Sequence, residues 1–574
     1  MNRNQFLILS GILVGTTAGL AGVLLKSLVH AIHHFITTRI HFEYQILFYL
    51  IFPFLGIVLT TAIVITFFKG QSRKGIAAIL YEIARNSSNV PRVKMYSQIL
   101  QSAVTVGLGG SAGLESPIAV TGSAIGSNFA RRYQLSYKDR TLLLAAGATA
   151  GIAAAFNAPI AGIMFAFEIL LTGVVFTDFI PLVVAAVCGS LVSKIILQEG
   201  ALFQFHARES FNYINTPYYL VLGLLAAMYA RYFLFVSQKT EHFFSWMKLS
   251  MIKRALVGGV LLSILCVLLP PLFGEGYEAV KALTDGHMNT LVENSFFRYF
   301  PYEQVTVIIF LALVCLLKAF ATPITLFGGG NGGNFAPSLF AGGTLGYLFA
   351  QLCILAGFEQ VPETNLVLAG MAGVMSGVMY APLTAIFLIA ESSLGYDLFI
   401  PLMMVAVISY LIAKRFSAVS PELQKLAEEG KIFTTEHDKN LMSMLQVSEL
   451  VDQQSVAIKV QASFTALKEQ VKSTSKNIFA VVDDQAKLCG VITLDDIRSI
   501  MFATAQADVP VEQLMKPPPA VVRSGDEMVY VVRIFDETGV WQLPVVDADE
   551  RFIGFISKSA VLARYREIMR DYSA

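Results

Sequence analysis

The chain has 574 residues, 55% of them hydrophobic and only 14% charged, with a formal net charge of +1 and a mean hydropathy of +0.62. This is too apolar for a soluble globular enzyme and places the chain in a bilayer. The near-neutral balance provides no basic stripe for phosphates, so nucleic acid is excluded as a partner, and the five scattered cysteines lack metal-ligand spacing and read as reduced core residues.

In chain order, residues 1–5 lead into an apolar run without a clear cleavage site, a first helix rather than a removed signal. His30, His33 and His34 share a face of that helix and read as interfacial, because no partner ligands have suitable spacing. Charge-free stretches at 46–68, 255–269 and 398–413 are about long enough to cross a hydrocarbon core, while others are short or interrupted by glycine. The character changes near residue 414: a charged linker follows, and then a segment of ordinary soluble composition. Lys414, Arg415 and the Arg131, Arg132, Lys138 cluster flank membrane segments, which places those ends and the tail in the cytoplasm; the expected location is a bacterial-type inner (plasma) membrane.

The membrane part repeats itself. Gly109, Gly110, Gly113, Pro117, Gly122 and Gly126 recur 220 positions later as Gly329, Gly330, Gly333, Pro337, Gly342 and Gly346. Gly147, Ala158, Pro159, Ile163 and Glu168 recur at an offset of 223 as Gly370, Ala381, Pro382, Ile386 and Glu391. Repeated halves in a transporter imply a site at their interface, and an inverted arrangement would bring the two glycine breaks face to face.

In 109–117 the glycines free the backbone, and Pro117 suits the first turn of a helix. The unpaired amides of a helix beginning there would point at the gap and attract an anion. Isolated glycines more often serve close helix packing; two Pro-ended copies at matching positions favour the break. Glu115, at the mouth of the first break, can occupy such a site when ionised and vacate it when protonated, with burial and the helix dipole pulling its proton affinity in opposite directions. A plain capping glutamate is the alternative.

These residues resemble a known family. Gly113-Leu114-Glu115-Ser116-Pro117 and Gly333-Asn334-Phe335-Ala336-Pro337 are similar to the Gly-Xaa-Glu-Xaa-Pro and Gly-Xaa-Phe-Xaa-Pro motifs of the CLC chloride channels and proton/chloride antiporters, as is the segment 147–168 around Asn157-Ala158-Pro159. The resemblance implies an all-α polytopic membrane protein, a CLC-type inverted repeat of broken helices, and a homodimer with one pore per subunit in the lipid bilayer. It implies transport of chloride or another small anion, no enzymatic activity and no required cofactor. Glu115 takes the position of the gating glutamate. Gly113, Leu114, Ser116, Gly333, Asn334, Phe335 and Ala336 take the positions that surround the anion, Asn334 standing where the family often has isoleucine.

Three departures follow from the same resemblance. The family's Gly-Ser-Gly-Ile-Pro falls on 73–77, so Lys74, beside Gly75 and Ile76, stands where an anion-binding serine is expected, with Ser72 as a rival register. The inner tyrosine is replaced by Glu422. Lys74 and Glu422 could pair as an inner gate, or Lys74 could lie at the cytoplasmic surface. Ile169 stands at the usual internal proton site, leaving Glu168 either on a proton path or, like Glu391, structural. Channel and proton antiporter both stay open, as do fluoride, nitrate and bicarbonate beside chloride.

The tail resembles an α/β CBS-domain pair. The runs Gly490-Val491-Ile492 and Gly554-Phe555-Ile556 lie 64 residues apart, each followed by Thr493 or Ser557 opening a helix. Thr493 and Asp496 keep a signature that can hold the ribose of an adenine nucleotide; the second copy has Ala560 instead of the acid. A structural or dimer-forming tail is the alternative. The expected organisation is a transport domain at 1–430 (repeats at about 5–205 and 210–430), a linker at 431–446, and CBS domains at 447–505 and 511–570. Other functions lack their residues: no His-Glu-Xaa-Xaa-His exists for a metalloprotease, and the glycines at 107–113 follow no soluble strand–helix unit that could bind a dinucleotide.

Overall fold

The structure, a computed structural model, describes residues 2–38, 45–68, 74–171, 179–198, 210–284, 291–292, 295–300, 304–417, 419–420, 422, 424, 445–501 and 509–573. The chain forms two compact units, Met1–Thr434 and Thr435–Ala574.

The first unit is helical. Among the described residues its helices are α1 (Arg3–Thr38), α2 (Gln45–Phe68), α3 (Ile76–Arg85), α4 (Lys94–Gly107), α5 (Glu115–Arg132), α6 (Tyr137–Phe156), α7 (Pro159–Phe165), α8 (Ile180–Leu197), α9 (Thr216–Trp246), α10 (Met251–Leu268), α11 (Tyr277–Thr284), α12 (Gln304–Gly328), α13 (Phe335–Leu355), α14 (Glu363–Met379), α15 (Pro382–Ser392) and α16 (Phe399–Phe416). Among the described residues, eight helical stretches are long and apolar enough to cross a membrane. Their outward faces carry large apolar side chains such as Leu24, Phe67, Ile195 and Met228, a surface suited to lipid rather than water.

The interior is drawn tight by small residues. A Cβ at Gly122 would lie 2.1 Å from the Gly147 carbonyl oxygen, and one at Gly342 would lie 2.3 Å from that of Gly370. The α5–α6 and α13–α14 crossings are therefore backbone on backbone. Gly122, Gly126, Gly342 and Gly346 thus serve packing, whereas Gly109 and Gly329 lie at the breaks with φ of +91° and +133°. The repeated glycines of the sequence divide between the two explanations.

The halves are joined reciprocally. α6 ends in left-handed Asn157 and α14 in left-handed Tyr380, after which Pro159 and Pro382 start α7 and α15. Glu168 lies in a π-helical turn, Ala166–Leu170, continuing α7. Its carboxylate accepts from the Leu383 amide (2.9 Å) and from the Thr384 amide and hydroxyl (2.7 Å each). Glu391, at the end of α15, returns the bond, accepting from the Ile160 (3.1 Å) and Ala161 (2.9 Å) amides of α7. Each carboxylate satisfies the first-turn donors of the opposite repeat's helix and meets its positive end. An exchange of identical bonds requires two-fold-related halves, and the antiparallel bridge between Gly113 and Gly333 makes their equivalent segments run in opposite directions. The repeat is inverted.

The second unit contains two copies of one small motif. In the first, α17 (Val447–Leu450) precedes β1 (Ala457–Lys459), α18 (Phe464–Ser473), β2 (Ile478–Val482), β3 (Leu488–Thr493) and α19 (Leu494–Met501). In the second, α20 (Val511–Leu514) precedes β4 (Val522–Arg523), α21 (Met528–Thr538), β5 (Gln542–Val546), β6 (Phe552–Ser557) and α22 (Lys558–Ser573). Each sheet pairs its first strand parallel and its last antiparallel to the middle one, with a register shift at Val481/Val482 and at Val545/Val546. Parallel pairing needs a crossover, which α18 and α21 supply. Ala480, Val491 and Phe555 form a shared apolar cluster, and the Asp452 amide bonds the Phe555 carbonyl at 2.8 Å, so the copies pack on each other.

At the start of α19, Thr493 Oγ1 bonds Asp496 Oδ2 at 2.6 Å, and the Thr493 and Asp496 amides bond the reciprocal side chains at 3.0 and 3.3 Å, a capping box. Lys516 adds an ion pair to Asp496. Burial opposes the Asp496 charge, but the bonds from Lys516 and from the Thr493 hydroxyl and amide outweigh it and hold the carboxyl below the ordinary value of 3.8.

Two outcomes are expected. Glu391→Ala strands the Ile160 and Ala161 amides and costs about 1–3 kcal/mol. Thermal unfolding in detergent should shift down by about 1–3 °C, with Glu391→Gln between variant and wild type; a Glu391→Ala protein as stable as wild type would count against the cap. In the tail, Asp496→Ala should lower the unfolding midpoint by about 2–4 °C, followed by Trp541 fluorescence in a Trp246→Phe background. Because the folded carboxyl is depressed, its contribution is complete above pH 3.8 and fades as pH falls through the folded value, so the variant and wild type should converge there.

Candidate functional site

The two breaks meet at the centre of the first unit. Gly113 and Gly333 exchange N–H···O bonds of 2.9 Å each way. Around them, Thr105 Oγ1 accepts from the Asn331 amide (2.9 Å) and its repeat equivalent Thr325 Oγ1 accepts from the Ser111 amide (3.1 Å). These bonds fix the starts of α5 and α13 against each other. The Gly113 and Gly333 amides, expected to face an anion, are thereby engaged with each other. The first turns of α5 and α13, from Leu114 and Asn334 onward, are where helix geometry leaves amides without an i−4 acceptor.

Glu115 is 2% exposed. Its side chain folds back over Gly113, where a Cβ would lie 2.1 Å from Oε2, and reaches the opposite helix, Oε2 accepting from the Ala336 amide at 3.4 Å. Oε1 accepts from the Tyr277 hydroxyl of α11 at 2.6 Å. A carboxylate thus lies on a first-turn amide of the partner repeat, where a small anion would find a donor and a positive dipole end. Aromatic rings line the approach: Phe335, fully buried, lies 5.7 Å from Phe156 and 6.1 Å from Phe165, and Phe156 lies 6.5 Å from Tyr277.

Gly75, with φ +76°, starts α3 opposite α5: a Cβ there would lie 3.8 Å from Ser116 Oγ, and one on Gly333 would lie 2.5 Å from Ser116 Cβ. Gly75, Ile76, Ser116 and Gly333 are therefore brought together. Lys74 departs from expectation. Its ammonium donates to the Gly329 and Gly330 carbonyls at 2.8 Å each, rather than pairing with Glu422. The reason is the negative end of α12, which presents two acceptors at fixed positions. Glu422 is half-buried, and Ser72 lies outside the described residues. Glu168 is held by three donors as the cap of α15, and Ile169 beside it is buried.

Tyr277 was not legible in the sequence. Lys318 of α12 was overlooked: fully buried, it donates to Ser111 Oγ (2.9 Å) and the Gly274 carbonyl (3.3 Å) and lies 4.7 Å over the Phe340 ring. A single lysine inside an otherwise uncharged 25-residue helix was a signal available in the sequence, since such residues mark functional interiors. In the tail, Thr493 and Asp496 are adjacent, as a ribose site requires, but Asp496 is engaged by Thr493 and Lys516.

Comparison with known proteins agrees with this architecture. Residues 56–414 match the family described as voltage gated chloride channel, and residues 511–567 match the CBS domain. A ClcB-like chloride channel protein of Ralstonia nicotianae is 30% identical over 364 residues, covering 62% of this chain and 80% of that protein. The fold is similar to a slow cyanobacterial Cl−/H+ antiporter (TM-score 0.63, 20% identity, 75% of this chain and 98% of the other) and to a CLC-type fluoride/proton antiporter (TM-score 0.58, 22% identity, 72% and 96%). The family match covers more than half of the 574 residues, and the chain belongs to the voltage-gated chloride channel (CLC) family, with a CBS domain in its tail.

Proposed function

We propose that the chain carries chloride across the membrane through the junction of its two breaks, and that Glu115 is the gate. The observation that carries this reading is the Glu115 carboxylate on the Ala336 amide: a side-chain anion occupies the place a transported anion needs, so the two compete. Protonation removes the charge and the competition. The Tyr277 hydroxyl holds the carboxylate in its closed position.

Chloride is taken from the relatives, among them the ClcB-like protein. Lys74 is the feature that favours another small anion such as fluoride, since no anion-binding serine stands there and the lysine is directed at carbonyls. Proton antiport and passive conduction remain competing modes; Ile169 and the committed Glu168 favour a route that does not use the usual inner carboxylate. A homodimer in the plasma membrane with a cytoplasmic tail completes the reading. At that tail an adenine nucleotide would have to displace Lys516 from Asp496 before its ribose could bind.

Purified protein in liposomes tests the gate, with anion efflux and proton flux followed together. Glu115→Gln should abolish proton movement and leave anion flux indifferent to pH; wild-type proton coupling in that variant overturns the assignment. Tyr277→Phe removes one bond from the closed carboxylate and should raise anion flux by about 10-fold or more, as expected for a lost charge-assisted bond of roughly 1.5–3 kcal/mol. The same change added to Glu115→Gln should have no further effect.

A further inference from the structure

Lys318 joins the two chain segments that bring Glu115 and Tyr277 together. Its ammonium donates to Ser111 Oγ at 2.9 Å and to the Gly274 carbonyl at 3.3 Å, and it lies 4.7 Å over the Phe340 ring. Ser111 belongs to the first break and stands four residues before Glu115, whereas Gly274 lies between α10 and α11, three residues before Tyr277. The Tyr277 hydroxyl closes the circuit on Glu115 at 2.6 Å. The Gly274 amide also donates to the Gly109 carbonyl at 3.1 Å, so its segment lies directly against the break. That segment has little room: Gly274 and Gly276 have φ of +67° and +95°, and a Cβ on Gly276 would lie 2.5 Å from the same Phe340 ring that the ammonium covers. Two turns further along α12, Thr325 Oγ1 accepts from the Ser111 amide at 3.1 Å, so α12 holds the first break by two side chains.

A fully buried ammonium is costly unless its donors are satisfied. The hydroxyl, carbonyl and ring that surround this one carry no full negative charge, and an apolar side chain of equal length would fill the space without the cost of burying an ion. What the ammonium adds is geometry, because one group with several donors ties two segments at a fixed separation. We propose that Lys318 is a positioning residue for the gate: by tying Ser111 to Gly274 it holds the Tyr277 hydroxyl within reach of Glu115 and so keeps the carboxylate on the anion site. Without that tie the segment before α11 shifts, the bond from Tyr277 weakens, and Glu115 competes less well with the anion. The proposal rests on Glu115 as the gate and Tyr277 as its latch.

Chloride efflux from liposomes holding the purified protein is measured against chloride concentration at one pH, for wild type, Lys318→Met, Tyr277→Phe and the two combined. A carboxylate that competes less well lowers the half-saturating chloride concentration and leaves the maximal flux in place, whereas a loss of folded protein lowers the maximal flux alone. Lys318→Met should lower the half-saturating concentration by about 3-fold or more, and the combined variant should match Tyr277→Phe alone. A half-saturating concentration that rises in Lys318→Met overturns the proposal, because the ammonium would then attract the anion itself. An unchanged value overturns it too, as does a Lys318→Met shift that adds in full to that of Tyr277→Phe. Ser111→Ala keeps the lysine and removes one of its two acceptors; it should shift the value in the same direction by a smaller factor, again without adding to Tyr277→Phe. Where Lys318→Met yields no folded protein, Ser111→Ala decides, and a Ser111→Ala profile that superimposes on wild type overturns the positioning role. A Tyr277→Phe protein with the wild-type half-saturating concentration sinks the latch itself, a result distinct from a Tyr277→Phe shift that Lys318→Met fails to reproduce.

Discussion

Two hydrogen bonds between Gly113 and Gly333, 2.9 Å each way, are the constraint on which the rest of the transport unit depends. A helix interrupted inside a bilayer exposes backbone groups that lipid cannot satisfy. Here each break supplies the other's donors and acceptors, directly at the glycines and through Thr105 and Thr325. Neither half is complete alone, because the starts of α5 and α13 are positioned by each other. Glycine is required at this crossing for space: a Cβ at Gly113 would lie 3.0 Å from the Ala336 amide, and one at Gly333 would lie 2.5 Å from the Ser116 Cβ.

The same logic governs the charged residues. Glu168 and Glu391 sit on helix N-termini of the opposite repeat, and Lys74 sits on the C-terminal carbonyls of α12. Each replaces with a side chain the water that a helix end would otherwise need. A charge so held is stabilised where it stands and is poorly suited to move. Glu115 differs. Its bond from the opposite helix, the Ala336 amide at 3.4 Å, is longer than the amide bonds of 2.7–3.1 Å that hold Glu168 and Glu391, and its short bond of 2.6 Å comes from a side chain, Tyr277.

How much of this was legible in the sequence depended on whether the signal was local. The breaks, the repeat, Glu115 opposite Phe335 and the two copies in the tail were readable because Gly, Pro and a lone carboxylate within nine residues carry their own conformational and electrostatic meaning. The inverted arrangement could only be expected, since direction is set by pairing, which the Gly113–Gly333 bridge supplies. Of the two places the sequence left open for Lys74, a pair with Glu422 or the surface, neither named the acceptors it uses, because these are backbone carbonyls, identical at every residue and invisible as letters. Tyr277 lies 162 positions from Glu115 in a helix of eight residues outside the repeated motifs, and no periodicity connects them.

The bridge also narrows what an anion can touch. With the Gly113 and Gly333 amides bonded to each other, the donors left for a ligand are those of the two first turns, and on the α13 side the Ala336 amide is already taken by Glu115. An anion arriving there meets a negative charge that must move or be neutralised before the dipole end becomes available. The gate proposed above would need no moving domain. A rotation of one side chain about its own bonds, released when Oε1 loses its partner on Tyr277, exposes the site, while the crossing that defines it stays fixed. Under that proposal the backbone-on-backbone contacts at Gly122, Gly147, Gly342 and Gly370 would hold the helices still while Glu115 alone changes state.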